Sequence, residues 1–444
     1  MNRPTVELVM IVRNGGSGLA RCLKSALPAV DSILIGDTGS TDDSHQIAHD
    51  FGARTLDIPW ENDFAKARNT VLTASHADWV LSMDSDEMLD PEGAALIPAL
   101  VAQEPVDAWE VWRWNYVRSL DSRCGELVAE PNPIRLEESR PYPAFTRYLN
   151  TLLFRRRPGV YFENRVHETV SKRIRALGLQ PAEAPFVIHH FGFVEDTAEV
   201  RKSKCELYQQ LGRQKVCDDP EDDWALYEVG LGELEHHHDA AAGLVCFEQV
   251  IALNPSRVGA WIYAGICSTR LGRLQEALNR LRHAEQLGAR SGLLAGAIGD
   301  VFFLAGDYSQ AMSNFEQVSR FGPMSAVVEC KLGACLASLG NPSAGLERIN
   351  AAVTREPEAG ALYEIWAAVR LMAGDPVGAA QVARQRLLLG GAPANSFLVA
   401  AGLEGSLGHW QEALTILIEA RQSYPADQVL AREIEVARER AVRR

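Results

Sequence analysis

Eight cysteines in 444 residues include no C-x-x-C pair, which sets aside a thioredoxin-type redox motif and paired-cysteine zinc sites. No stretch approaches the roughly 18 consecutive apolar residues of a membrane-spanning helix. The N-terminal apolar run Leu8-Val9-Met10-Ile11-Val12 is too short for a signal core, follows Glu7 and lacks a small-residue cleavage site. A first β-strand fits it better. Positive charge is in deficit, with a formal net charge of −14. That argues against non-specific nucleic-acid binding, which relies on cationic surface, but leaves room for a small anion held by a local cluster or a metal. Two common phosphate loops are also missing. Gly15-Gly16-Ser17-Gly18 begins like a dinucleotide fingerprint, yet the position of its last glycine is Arg21, and no Gly-Lys-Ser/Thr Walker loop occurs. Nicotinamide and P-loop chemistry are therefore disfavoured. Without an export signal, the cysteines read as reduced, mostly buried small hydrophobes, and the cytoplasm is the expected compartment.

What is present is a soluble-protein composition, 47% hydrophobic and 23% charged, long enough for two or three domains with substantial cores. From Thr5 to Asp86 strand and helix alternate. Strands are expected at Val6–Val12, Ser32–Gly36, Arg54–Ile58 and Trp79–Met83, with helices at Leu19–Leu27, Ser44–Phe51 and Asp63–Ala74. That spacing implies right-handed βαβ crossovers and a mostly parallel sheet. After Pro91 the pattern changes. An aromatic strand-like run covers 109–116, and Pro131, Pro133, Pro141 and Pro143 punctuate a long loop. Further strand-like pieces are Leu149–Arg155, Val160–Val166 and Phe186–Phe193, and Asp196–Arg213 reads as a connecting helix.

The second half is periodic. Gly265, Gly299, Gly333, Ala367 and Ala401 are spaced 34 apart, as are Gly272, Gly306, Gly340, Gly374 and Gly408, and Ala277, Ala311, Gly345, Ala379 and Ala413. A period of about 34 with small residues at fixed offsets is that of tetratricopeptide repeats, in which paired helices approach closely. A degenerate earlier unit covers about 223–254, so six helix pairs are expected to stack into a solenoid. Domain limits of 1–195, 196–220 for a connecting helix, and 221–444 follow.

The chemistry-bearing residues gather at expected strand ends. Asp84 and Asp86 sit at i and i+2 and so point to one side of an extended chain, where the buried strand 79–83 stops. In open α/β sheets the ligand crevice lies there, and hard carboxylate oxygens suit Mg²⁺ or Mn²⁺ holding a substrate's phosphates. An acidic solvated turn is the plain alternative. Asp37 ends the second strand and can accept from a nucleobase or ribose, or can cap the following helix. Arg13 and Asn14 leave the first strand towards the same edge. His167 and Glu168 read equally as packing and surface residues. In a strand, only one of His189 and His190 can face the crevice, and His190 is preferred. His236-His237-His238 falls where a repeat should turn and reads as solvated. Arg155-Arg156-Arg157 reads as a solvated strand exit.

Four ordered segments, Met10-Ile11-Val12-Arg13-Asn14, Asp37-Thr38-Gly39-Ser40-Thr41-Asp42, Phe64-Ala65-Lys66-Ala67-Arg68-Asn69 and Trp79 to Glu87, together resemble family 2 glycosyltransferases of GT-A fold, in particular a bacterial subgroup joined to tetratricopeptide repeats. Val166-His167-Glu168 and His190-Phe191-Gly192-Phe193 resemble that subgroup's V-H-E and H-Y-G-Y elements. Where relatives often carry an acidic residue after Arg/Lys-Asn, this chain has Gly15. The resemblance implies a GT-A, Rossmann-like mixed sheet followed by an all-α repeat solenoid. It implies Asp37 at the base, Asp84 at ribose or metal, Asp86 at the metal and Arg68 supporting the nucleotide, with Arg13 and Asn14 nearby. It raises Glu168 as acceptor-side base with His167 its competitor, and His190 as a completing metal ligand.

The expected activity is a metal-dependent, inverting transfer from a nucleotide-diphosphate sugar, UDP-linked in the first instance, with Mn²⁺ or Mg²⁺ as cofactor. The repeats are expected to present their surface to a peptide or protein acceptor, a partner protein or another copy of the chain. A nucleotidyltransferase on a related sheet and a repeat scaffold with a spent transferase domain are the competing readings.

Overall fold

The computed structural model describes residues 3–120, 122–124 and 127–442; the side chains of Arg123 and Cys124 lie outside what is described. The first four apolar runs form β1 (Val6–Val12), β2 (Ser32–Asp37), β3 (Arg54–Asp57) and β4 (Trp79–Ser82). They lie in the order β3-β2-β1-β4, every neighbouring pair parallel. The crossovers carry α1 (Gly16–Ala26), α2 (Ser44–Asp50) and α3 (Phe64–Ala74). These strands read as continuous hydrophobic runs because both faces of the sheet are covered. Leu8, Met10 and Val12 of β1 pack in one core with Leu19 and Leu23 of α1. Val9 packs in the opposite core with Val71 and Leu72 of α3.

Past β4 come β5 (Glu87–Leu89), α4 (Pro91–Leu100), β6 (Ala108–Val117), the short β7 (Arg123–Cys124), β8 (Leu127–Val128) and β9 (Glu130–Pro131), then β10 (Ala144–Arg155), α5 (Ser171–Ala176) and β11 (Pro181–His190). They extend the sheet as β4-β10-β6-β11-β5, with β9 on β10 and β7 paired with β8 apart. β10 is antiparallel to β4 and β6, whereas β11 is parallel to β6. The mixed sheet places the ends of β1, β2 and β4 on the edge that β11 also reaches with His190.

Two expectations need correction. Residues 160–166 form no strand beyond an isolated bridge between Glu163 and Thr169. Pro158 and the left-handed Gly159 (φ 87°) and Asn164 (φ 78°) break the extended run. Asn69 of α3 then pins the loop, donating to the Phe162 carbonyl at 2.9 Å and accepting from the Phe162 amide at 2.7 Å. The strand expected over 186–193 begins earlier and stops at His190, because Gly192–Glu195 folds into the helical turn α6.

Two compact units are present, one up to Tyr263 and one from Ala264. After the sheet the first holds α7 (Ala198–Asp218), α8 (Asp223–Glu235) and α9 (Ala240–Leu253); α10 (Val258–Arg270) straddles the division. The second continues with α11 (Leu274–Gln286), α12 (Gly292–Leu304), α13 (Tyr308–Val318), α14 (Ala326–Ser338), α15 (Pro342–Arg355), α16 (Gly360–Met372), α17 (Pro376–Leu388), α18 (Ala394–Ser406), α19 (Trp410–Ser423) and α20 (Gln428–Val442). The 34-residue step has a direct physical cause. Gly272, Gly306, Gly340, Gly374 and Gly408 all have left-handed φ, from 74° to 96°, at the turn inside each hairpin, the position where a helix end takes glycine. A Cβ at Gly265, Gly299 or Gly333 would lie 2.6, 2.6 or 2.7 Å from Leu281, Phe315 or Ile349 of the paired helix.

Ala costs ~1–2 kcal/mol in a left-handed turn but gains ~0.5–1 kcal/mol over Gly inside an exposed helix. Gly340→Ala is therefore expected to lower, and Gly402→Ala, exposed within α18 with nothing within 4 Å of its added Cβ, to raise the denaturant midpoint of unfolding. The same sign for both would refute this account of the repeat glycines.

Candidate functional site

The loops leaving β1 and β2 are stitched by side chains. Asn14, in left-handed conformation (φ 57°), accepts from the Thr41 amide at 2.7 Å, and its own amide donates to Ser40 Oγ at 2.9 Å. Asp37, buried at the end of β2, accepts from the Gly39 and Ser40 amides at 2.8 and 2.7 Å. The helix cap position belongs to Asp43, not Asp37. Burial opposes the charge on Asp37, but hydrogen bonds from Ser40 and Gly39 and the nearby His45 hold its carboxyl below the usual range. Arg13 is exposed.

Arg68 is the centre of the arrangement. It projects from α3, is buried, and pairs through Nη2 with Asp84 Oδ1 and through Nε with Glu168 Oε1 at 2.6 Å. Its guanidinium also lies 5.5 Å over the Phe162 ring that Asn69 holds in place. Arg113 of β6 takes the other Asp84 oxygen at 3.4 Å, pairs with Glu87 at 2.5 Å and donates to the Tyr148 hydroxyl at 2.6 Å. Both carboxylate oxygens of Asp84 are thus faced by arginines. Glu87 in turn accepts the Asp84 amide at 2.7 Å, so the turn after β4 is fixed through backbone and side chain alike.

Asp86 points elsewhere. His190 Nε2 lies 3.4 Å from its Oδ1, and His190 Nδ1 is held at 2.8 Å by Asn115 Oδ1. With Nδ1 donating to Asn115, Nε2 faces Asp86: it donates to that carboxylate when the ring is charged and is the nitrogen free to bind a metal when the ring is neutral. Burial pulls the His190 pKa down, but Asp86 outweighs it and the net direction is up. A Cβ at Gly192 would lie 2.4 Å from Asp86 Oδ2 and 2.9 Å from His190 Nε2, so the glycine of the H-F-G-F element keeps this corner open. His189 faces the other way, fully buried, with Nδ1 2.8 Å from the Tyr116 hydroxyl. Among the described residues no three His, Cys, Asp or Glu side chains are grouped to hold a metal by themselves. A carboxylate and an imidazole side by side still fit Mg²⁺ or Mn²⁺, which fill their other positions with substrate phosphates and water.

Glu168 and His167 stand on the far side of Arg68. Glu168 is largely buried and gives one oxygen to Arg68. His167 is exposed, has left-handed φ (54°), and sets its ring against Tyr208 at 5.9 Å between centroids. Helix α7, expected only to connect, contributes here: Lys204 Nζ is 2.8 Å from Asp196 and 3.8 Å from Asp86. Sequence reasoning missed Arg113, Asn115, Lys204 and Tyr208. Arg113 and Asn115 carried a signal, since two polar residues at i and i+2 in the aromatic run 109–116 must share one face.

Residues 7–114 match the family described as Glycosyl transferase family 2. A TPR repeat-containing protein of Synechococcus elongatus is 30% identical over 291 residues, covering 63% of this chain and 66% of that protein. The SPbeta prophage-derived glycosyltransferase SunS of Bacillus subtilis is 30% identical over 96 residues, covering 21% of this chain and 23% of its own. An uncharacterized glycosyltransferase of Rickettsia felis is 30% identical over 87 residues, 20% of this chain and 30% of that one. The chain thus spans less than two thirds of the length of each. Among solved structures, a tetratricopeptide repeat protein from Parabacteroides merdae is similar with a TM-score of 0.45 at 14% identity, covering 54% of this chain and 94% of that one. The N-terminal part of the chain is a family 2 glycosyltransferase domain, and the helical region after it is of the tetratricopeptide-repeat kind. No helix among the described residues is long and apolar enough to cross a membrane.

Glu87 is fully buried, and burial, opposed by Arg113 and reinforced by Asp84, pushes its pKa up from 4.5 to about 7. A carboxyl whose folded pKa exceeds its unfolded one takes up a proton on folding, so its contribution to stability falls as pH rises through that window. Glu87→Gln lacks this slope. Urea unfolding at about pH 5 and about pH 8 should show the variant gaining on wild type by on the order of 1 kcal/mol or more across the interval. A pH-independent difference would contradict the burial argument.

Proposed function

We propose that the chain is an inverting glycosyltransferase that moves a sugar from a nucleoside-diphosphate donor, UDP-linked in the first instance, to an acceptor. The observation that carries the reading is the pairing of Asp86 with His190 at the strand ends, beside an Asp84 already neutralised by two arginines. Asp37, at the end of β2, would take the nucleobase or ribose, and Asp84, oriented by Arg68 and Arg113, would stand on the ribose side. Asp86 and His190 would hold Mn²⁺ or Mg²⁺, which when bound neutralises charge on the departing diphosphate.

The rest belongs to the chain. Glu168 is the carboxylate near Asp84 with one oxygen committed to Arg68, and it would accept the acceptor's proton while the acceptor oxygen bonds to the anomeric carbon and the sugar–phosphate bond breaks on the opposite side. One displacement inverts the anomeric configuration. Arg68 holds Glu168 and Asp84 in fixed relation, which supplies orientation. The helical hairpins would present their surface to a peptide or protein acceptor, or to a second copy of the chain.

The test is nucleotide release from a panel of sugar nucleotides with and without Mn²⁺. Wild type should release a nucleoside diphosphate and Asp86→Asn should lose at least about a hundredfold in rate. Glu168→Gln should keep donor binding within about threefold while transfer falls on the order of a hundredfold or more. Pyrophosphate release from a nucleoside triphosphate would instead mark a nucleotidyltransferase, and turnover unaffected by Asp86→Asn would sink the assignment.

A further inference from the structure

The proposed diphosphate corner is crowded with carboxylates, yet its arginines are spoken for. Arg68 serves Asp84 and Glu168, and Arg113 serves Glu87 and Asp84. Arg21, near enough for the Asp86 charge to act on it, is likewise paired with Glu195 at 2.5 Å, so among these described arginines none is uncommitted beside Asp86. Among the described residues, a cation with capacity left is Lys204, which comes from α7. Asp196 takes one of its three donors at 2.8 Å, and Asp86 stands at 3.8 Å, beyond hydrogen-bond length. Its side chain is partly exposed, at 43%, as a group awaiting a ligand would be.

A second residue on the same helix face shows that α7 is built against the site. Tyr208, one turn on from Lys204, sets its ring 5.8 Å from Phe64 and 5.9 Å from His167 between centroids. Its phenol is held above the usual range by burial and by the charges of Asp84, Glu168, Asp86 and Asp196. α7 is therefore anchored on both sides of the site, by Asp196 near its start and by the aromatic contact one turn later.

Building on the glycosyltransferase reading, we propose that Lys204 is a donor-phosphate ligand, so that α7 forms a wall of the sugar-nucleotide site rather than a connector. Asp196 competes for the ammonium without exhausting it, and an incoming diphosphate would take the donors that Asp196 leaves. A charged hydrogen bond of this kind acts on the phosphates and leaves the nucleoside untouched.

The test is calorimetric titration of full-length protein with UDP, UMP and uridine in the presence of Mn²⁺, repeated with GDP and CDP. Lys204→Met should weaken diphosphate binding about tenfold and leave uridine unchanged, since a charged hydrogen bond of this kind is worth about one decade in affinity. Lys204→Arg should stay within about threefold of wild type. Asp196→Asn, which frees the lysine while removing the same ion pair, should hold or tighten UDP binding; if it weakens binding as Lys204→Met does, the pair is merely structural and the inference falls. Equal UDP affinity in wild type and Lys204→Met, or parallel loss of UDP and uridine, overturns it as well. Wild-type protein that binds none of the three diphosphates overturns the glycosyltransferase reading itself, a separate outcome.

Discussion

The site depends on one buried cation. Arg68 joins α3, the turn after β4 and the loop before α5, three segments distant in sequence, through paired contacts with Asp84 and Glu168. A guanidinium buried beside a single carboxylate would leave donors unsatisfied; its fork geometry lets one arginine serve both partners and lie over Phe162. Removing one partner from such a network is expected to cost more than its net worth, because the other charges stay buried.

Around that centre the charges divide into two groups. Asp84 and Glu87 are tied to Arg68 and Arg113 and shape the turn, while Asp86 faces His190 and Lys204. Of the two carboxylates set two residues apart, one is held by two arginines and the other faces the open corner of the site. Gly192 keeps that corner open, since any side chain there would strike Asp86 and His190. The 34-residue glycine step in the second unit has a comparable origin, left-handed backbone at each turn, so sequence constraint in both units comes down to where a Cβ cannot go.

Much of this was legible beforehand. Alternating apolar runs and strand-end carboxylates located Asp37, Asp84 and Asp86, and parity separated His190 from His189. The 34-residue step gave the hairpins, because its glycines answer local backbone geometry. What sequence hid was set by tertiary contact. No local pattern says that Arg113 of β6 reaches past β11 to Glu87 and past β10 to Asp84, or that the segment after α6 returns Lys204 to Asp86. The loop 160–166 looked like a strand by composition, but left-handed backbone at Gly159 and Asn164 breaks the run and Asn69, nearly a hundred residues earlier, pins it.

A crystal structure of the full chain with UDP and Mn²⁺ tests the central claim most directly. The account predicts the diphosphate beside Asp86 and His190, the nucleoside towards Asp37, and Arg68 still joining Asp84 to Glu168. A nucleotide bound away from the ends of β2 and β4, or one that displaces Arg68 from both carboxylates, would contradict it.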